Sequence, residues 1–231
     1  MKLTLVRHAT LLVELDGRRV LVDPMLGAAG SAPPIEDTPN QVANPLVELP
    51  FPAAEVVSGV DLCLVTHLHE DHFDDAAAAL LPRDTPLLTQ PECASELRGQ
   101  GFTAVTTEHP GWTMTRGRHG TGAIGEEMGA VSGWVLDGLY VAGDTVWCEE
   151  VRTALDRHRP RIVVVNAGGA RFLEGDPITM TADDVRRVRE ATDAVIVVCH
   201  LEAINHCVEP RSAYGGIPDV LVPADGETLI L

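Results

Sequence analysis

The sequence predicts an α/β protein in which two β-rich halves pack face to face with helices outside. Two observations point there. Short aliphatic runs followed by a helix-strand alternation occur once in each half of the chain, so each half reads as a sheet with its own covering helices. Hydrophobic residues make up 45% of the 231 but aromatic ones only 4%, and they come in short runs, as layered sheets and helices require. A chain of this length has enough core for one large domain, and one domain over 1–231 is expected rather than two.

Taken in order, residues Leu3 to Leu15 alternate apolar and polar, meet Asp16-Gly17, and resume with Val20-Leu21-Val22-Asp23-Pro24. An aspartate-glycine step between such runs predicts a hairpin. Residues 27–52 carry Pro33, Pro34, Pro39, Pro45, Pro50 and Pro52, which break any regular element and leave a long loop, either a pocket wall or lid or a passive excursion. Asp61 to Thr66 reads as a buried strand, Asp74 to Leu81 as a short helix, and Pro86 to Thr89 as a strand. Pro91 to Arg98 is a helix with proline at its start and Gly99 and Gly101 past its end. Between 102 and 145 the runs are of β type, including Ala130 to Leu136 and Leu139 to Ala142. A helix from Glu149 to Arg157, a strand from Arg161 to Val165, a helix from Ala182 to Ala191 and a strand from Ala194 to Val198 follow. Thr181 with Asp184 forms a capping-box pattern with Asp in place of Glu. The tail, Val220 to Val222 and Thr228 to Leu231 around Asp225-Gly226, predicts a last hairpin.

Charge excludes some functions. With 34 acidic against 17 basic residues the formal charge is −17, a field that repels nucleic acid and anionic membrane surfaces. No apolar run reaches the length of a membrane span, and the opening residues show no secretory pattern. Five cysteines with no C-x-x-C pair suit a reduced, cytoplasmic protein. The expected partner is a small molecule; self-association is left open.

The chemistry is concentrated in Thr66-His67-Leu68-His69-Glu70-Asp71-His72, which puts three imidazoles and a carboxylate in one short loop at the end of a strand. In an extended segment residues two apart face the same side, so His67 and His69 can grip one ion as a pair. Asp71 and His72 are adjacent and reach toward a second point, so two metals fit better than one. More ligands are then needed, and three residues stand at strand ends or beside glycine: His119 in Arg118-His119-Gly120, Asp144 after Leu139 to Gly143, and His200 after Ala194 to Cys199. Taken singly each is more often a turn or core residue. A carboxylate at Asp144 can bridge two cations with its two oxygens. His206 competes with His200 for the last ligand position, and the strand end favours His200. His8, His206, Trp147 and Arg171 are further candidates for contacting a ligand or the substrate, while His109 and His158 read as surface residues.

His67-x-His69-x-Asp71-His72, His119, Gly143-Asp144-Thr145 and His200, in that order, resemble the metallo-β-lactamase superfamily. Arg7-His8-Ala9-Thr10 with Leu21 to Pro24 is similar to its branch of L-ascorbate-6-phosphate lactonase-like hydrolases. The resemblance runs from about residue 4 to 206. It implies a four-layer αβ/βα sandwich with a metal cleft along one edge. By position, His67, His69 and His119 would hold one metal, Asp71, His72 and His200 the other, and Asp144 would bridge them. Two divalent ions are implied, zinc first, with manganese or iron as alternatives. The implied enzyme is a dinuclear hydrolase of a small ester, lactone, amide or phosphodiester, with Asp71 orienting the water and moving its proton. The alternatives are an iron-dependent persulfide oxygenase-type enzyme of the same fold, and a non-catalytic metal-stabilised binding protein.

Overall fold

The computed structural model describes all 231 residues, arranged as two sheets with helices on their outer faces. The first sheet contains β1 (Lys2–Arg7), β2 (Thr10–Leu15), β3 (Arg18–Val22), β4 (Leu62–Val65), β5 (Leu87–Thr89) and β6 (Val105–Thr106). Its order is β13-β1-β2-β3-β4-β5-β6, because the last strand of the chain, β13 (Thr228–Ile230), closes its edge. The second sheet is built from β7 (Thr113–Arg116), β8 (Ser132–Leu136), β9 (Leu139–Val141), β10 (Ile162–Asn166), β11 (Val195–Cys199) and β12 (Val220–Leu221), in the order β12-β11-β10-β9-β8-β7. The helices are α1 (Ala53–Val57), α2 (Asp75–Leu80), α3 (Pro91–Gly99), α4 (Gly122–Met128), α5 (Glu149–His158) and α6 (Ala182–Ala191).

The strands are apolar on both faces because each face has a layer to bury against. On β10, Ile162 and Val164 point inward, with Trp134, Val141 and Val197 of the same sheet and Leu5, Val22 and Leu64 of the first sheet in one cluster. Their neighbours Val163 and Val165 point outward, onto Val151 and Leu155 of α5 and Val185 and Val188 of α6. The first sheet repeats the pattern: Leu62 and Leu64 face inward, whereas Cys63 and Val65 meet Val56, Ala77 and Leu97 of its own helices. Ala182, Val185 and Val188 of α6 recur at the helical spacing and form its buried face. The expected capping box is present: Thr181 Oγ1 accepts from Asp184 N at 3.2 Å and Thr181 N donates to Asp184 Oδ2 at 3.2 Å. Such a cap contributes about 1 kcal/mol.

Topology decides where the loops emerge. β3, β4 and β5 run parallel, as do β9, β10 and β11, so the carboxyl ends of each set lie at one edge of its sheet. β2 is antiparallel to β3, with Leu11 opposite Val22, so the β1–β2 turn comes to that same edge. β7 and β8 are antiparallel, as are β8 and β9, so β7 also ends there.

Three expectations are corrected. The tail is not a hairpin: β12 pairs parallel with β11 in one sheet and β13 pairs antiparallel with β1 in the other, because each short strand completes a different exposed edge. The run from Leu3 to Leu15 is two strands, broken at His8, whose φ of 61° makes the turn. The segment 122–128, within a region read as β, is helix α4; it buries no residue, so no apolar periodicity marks it. His109 and His158 lie at the surface, each partly exposed, as expected. The proline-rich 27–52 segment has no helix or strand, only an isolated bridge between Ala32 and Asn44.

Candidate metal centre

β4 runs out at Val65, and after a bend at Thr66 the chain passes through His67 to His69 without regular structure. It then turns, with His69 O accepting from both His72 N (2.9 Å) and Phe73 N (3.1 Å). His67 and His69 nevertheless meet at one point, with His67 Nε2 and His69 Nδ1 3.0 Å apart. His119, three residues past β7, brings its Nε2 to 3.3 Å from His69 Nδ1. The turn sends Asp71 and His72 to a second point, Asp71 Oδ2 lying 3.8 Å from His72 Nε2. His200, one residue past β11, adds its Nε2 at 3.4 Å from Asp71 Oδ2.

Asp144 stands between the two groups. Its Oδ2 is 3.3 Å from His72 Nε2, 3.3 Å from His200 Nε2 and 3.5 Å from His119 Nε2. Its Oδ1 accepts from Asn166 Nδ2 at 2.7 Å. One oxygen thus faces both groups, where the sequence suggested two, because Asn166 occupies the other. The donors fall into sets close enough to hold a cation: His67, His69 and His119; His67, His72 and Asp144; and Asp71, His72 and His200 together with His8. All seven residues except His69 are buried, and His69 is half-buried.

The protons on these rings can be assigned from what lies behind them. His119 Nδ1 meets the carbonyl of Ile178 at 2.9 Å, which only accepts, so Nδ1 carries the hydrogen and Nε2 is bare. His72 Nδ1 meets Asp23 Oδ2 at 3.0 Å, again an acceptor. Thr66 Oγ1 donates its own hydrogen to Asp23 Oδ2 at 2.8 Å and therefore accepts from His67 Nδ1 at 3.1 Å. In their neutral forms these rings thus aim bare Nε2 lone pairs at neighbouring ring nitrogens and carboxylate oxygens. His72 Nε2 and His200 Nε2 are buried with no hydrogen-bond partner. Lone pairs gathered this way repel unless a cation or added protons stand among them. The separations of 3.0 to 3.8 Å bracket the roughly 3.3 Å edge of a tetrahedron of nitrogen and oxygen ligands about 2.0 to 2.1 Å from zinc. The residues fit a metal.

The charge balance points the same way. Burial opposes a proton on His72, yet Asp144, Asp71 and Asp23 outweigh it and push the imidazole up to about 10. Burial opposes the charge on Asp144, but His200 and His72 hold it well below the usual carboxylate range. His67 and His119, with less acid around them, are pushed down by burial. His8 falls to about 3 and His206 to about 4, both through burial first.

Of the other candidates, His8 Nε2 lies 3.0 Å from Asp71 Oδ2. His206 is buried one ring further out, its centroid 6.3 Å from that of His200, and it joins no donor set, so the geometry separates the two competitors in favour of His200. Trp147 packs against the outer core of the second sheet. Arg171 meets this region through its backbone, whose N–H donates to His206 O at 3.1 Å.

Sequence reasoning missed the groups behind the donors: Asp23, Thr66 and Asn166. Asn166 ends a strand in the way Asp144 and His200 follow theirs, and that shared position was the available signal. Asn205 was also missed as a fastener. Its side chain donates to Thr38 Oγ1 (2.7 Å), Asn40 O (2.6 Å) and Ile35 O (3.0 Å), and accepts from Asn44 Nδ2 (2.8 Å). The proline-rich loop is thereby tied to the segment carrying His200 and His206.

A sandwich with this donor set along one edge defines a metal-dependent hydrolase of the metallo-β-lactamase fold. The model of the beta-lactamase superfamily domain matches residues 18–200, and the chain belongs to that superfamily. It is 36% identical to the UPF0173 protein YddR of Bacillus subtilis (strain 168), over 99% of each chain. Among solved structures it is similar to an isothiocyanate hydrolase from Delia radicum gut bacteria, with a TM-score of 0.92 and 35% identity over 100% of this chain and 99% of that one. It is also similar to a possible metal-dependent hydrolase from Veillonella parvula DSM 2008, with a TM-score of 0.93 and 31% identity over the same shares. No helix is long and apolar enough to cross a membrane.

Proposed function

We propose that the chain is a dinuclear hydrolase that adds water to an electrophilic centre of a small substrate. The observation carrying this reading is the convergence of bare donor atoms into two groups that share Asp144 Oδ2. His67, His69 and His119 would hold one ion, Asp71, His72 and His200 the other, and Asp144 both. Two such ions, when bound, lower the pKa of a shared water to give a nucleophile near pH 7 and neutralise charge in the transition state.

The chain's own residues do the rest. Asp23 and the Ile178 carbonyl fix the ring protons of His72 and His119, so that Nε2 of each faces the site. Asn166 holds Asp144 by Oδ1 and leaves Oδ2 to the ions. Asp71 turns Oδ2 toward His200 and His8, while its Oδ1 has no protein partner and is the oxygen that orients the water and takes or returns a proton. With six of the seven donors buried, approach is past His69, which suits a small substrate.

The full-length likeness to an isothiocyanate hydrolase supports an isothiocyanate as the first substrate class to test. Its central carbon is electrophilic; water added across it gives a thiocarbamic acid, which releases the amine and carbonyl sulfide. The test is metal analysis of the purified protein, with turnover of isothiocyanates, lactones, esters, thioesters, amides and phosphodiesters after loading with zinc, manganese or iron. Two ions per chain with hydrolysis of one class is the expected result. One ion or none at saturation, or oxygen uptake without hydrolysis, would overturn it.

A further inference from the structure

His8 occupies an uncommon position. It makes the β1–β2 turn with φ of 61°, a left-handed conformation that ordinary L residues adopt at a cost, and it is completely buried. Its flanks are locked. Arg7, also completely buried, donates from Nη1 to Val47 O (2.9 Å) and from Nη2 to Met25 O (2.8 Å) and Gly27 O (2.9 Å). Thr10 Oγ1 donates to Asp23 O at 2.8 Å and accepts from Met25 N at 2.9 Å. A strained turn held this firmly delivers its central side chain to one place.

That place is the second donor group. His8 Nε2 meets Asp71 Oδ2 at 3.0 Å, and a carboxylate oxygen only accepts, so Nε2 carries the hydrogen. The other nitrogen, Nδ1, is buried without a partner. The backbone oxygen of His8 accepts from His200 N at 2.8 Å. The two rings also lie against each other, centroids 3.7 Å apart and tilted by 39°. One residue therefore touches Asp71 by its side chain and His200 by both backbone and ring. His8 does not make the approach to Asp144 Oδ2 that His72 and His200 make at 3.3 Å, which sets it outside the shared oxygen's ring of donors.

We propose that His8 is a positioning residue for the second ion, tying Asp71 and His200 together so that both present their donors to one cation. The inference rests on the dinuclear reading. It gives the β1–β2 turn a role in the metal centre although its sequence has no metal-ligand spacing.

The experiment is stepwise zinc binding to the full-length, metal-stripped protein by competition calorimetry, in wild type, His8→Asn and His8→Gln. Asparagine suits a left-handed φ but is too short to reach Asp71, whereas a glutamine amide can place an N–H where Nε2 stood. In His8→Asn one ion should bind about 10–100-fold more weakly and the other with unchanged affinity, which also serves as the control for folding. His8→Gln should recover most of the loss. Unchanged affinity for both ions in His8→Asn would overturn the proposal. Equal losses in Asn and Gln variants would also overturn it, by making His8 a ligand. A wild-type protein that binds fewer than two ions sinks the dinuclear reading itself, and the wild-type arm alone shows this.

Discussion

The two halves of the donor cluster are built to different standards. His67, His69 and His119 come from loops after β4 and β7 and are backed by neutral groups, a threonine hydroxyl and the Ile178 carbonyl, with His69 half-open to solvent. Asp71, His72 and His200 are buried and are backed by Asp23, His8 and, at 3.5 Å from His200 Nδ1, Cys207 Sγ. An anionic partner behind an imidazole makes it a better ligand, and burial slows exchange. On the dinuclear reading proposed above, the difference makes the second group the firmer anchor and the first, through His69, the side open to substrate and solvent.

The comparison breaks most completely at the residue both halves share. Asp144→Ala should lower kcat/KM for the best substrate by about 10³-fold or more, and the metal content of the purified variant should drop below two ions per chain. Asp23→Ala should sharpen the contrast. It orphans Thr66 N (2.7 Å from Oδ1), Thr66 Oγ1 and His72 Nδ1 together, so urea unfolding should report a loss of about 3–5 kcal/mol. His119→Ala, on the open side, should cost far less stability and remove one ion only. Timed chelation of wild type should pass through the same one-ion state; simultaneous loss of both ions would erase the distinction between the halves. Asn166→Ala frees Asp144 Oδ1 and should weaken metal binding about 10–100-fold with little change in fold, read by calorimetry and circular dichroism. Smallest of all, Thr181→Ala removes the α6 cap at a cost of about 1 kcal/mol and should leave metal content and turnover unchanged.

Much of this was legible beforehand because the signals are local. Aliphatic runs such as Val163 to Val165 and Val195 to Val198 are strands in any context that buries both faces, and the start of α6 follows from Thr181 and Asp184. The H-x-H-x-D-H loop declared a metal site because three imidazoles at that spacing have few other uses. Where reasoning failed, the missing information was long-range. β12 and β13 pair with strands on different sheets, a choice made by which edges are exposed and not by the turn between them. The helix α4 has no buried face to leave a pattern. That Asp144 turns one oxygen, Oδ2, to both donor groups depends on Asn166, 22 residues away. His8 was only one of several candidates for contacting a ligand or the substrate until the antiparallel β2 carried its turn to the ligand edge.

By itself the sequence determined the two-sheet class and the four candidate ligands of one loop, since periodicity and ligand spacing are properties of adjacent residues. It also nominated His119, Asp144 and His200, but only the tertiary structure brings them to that loop and fixes which oxygen or nitrogen each presents. The tertiary structure also decided that His8, Asp23 and Asn166 stand behind them. Strand direction and register bring residues distant in sequence to one sheet edge, and a side chain's partner there fixes the proton it carries and the lone pair it has left to give.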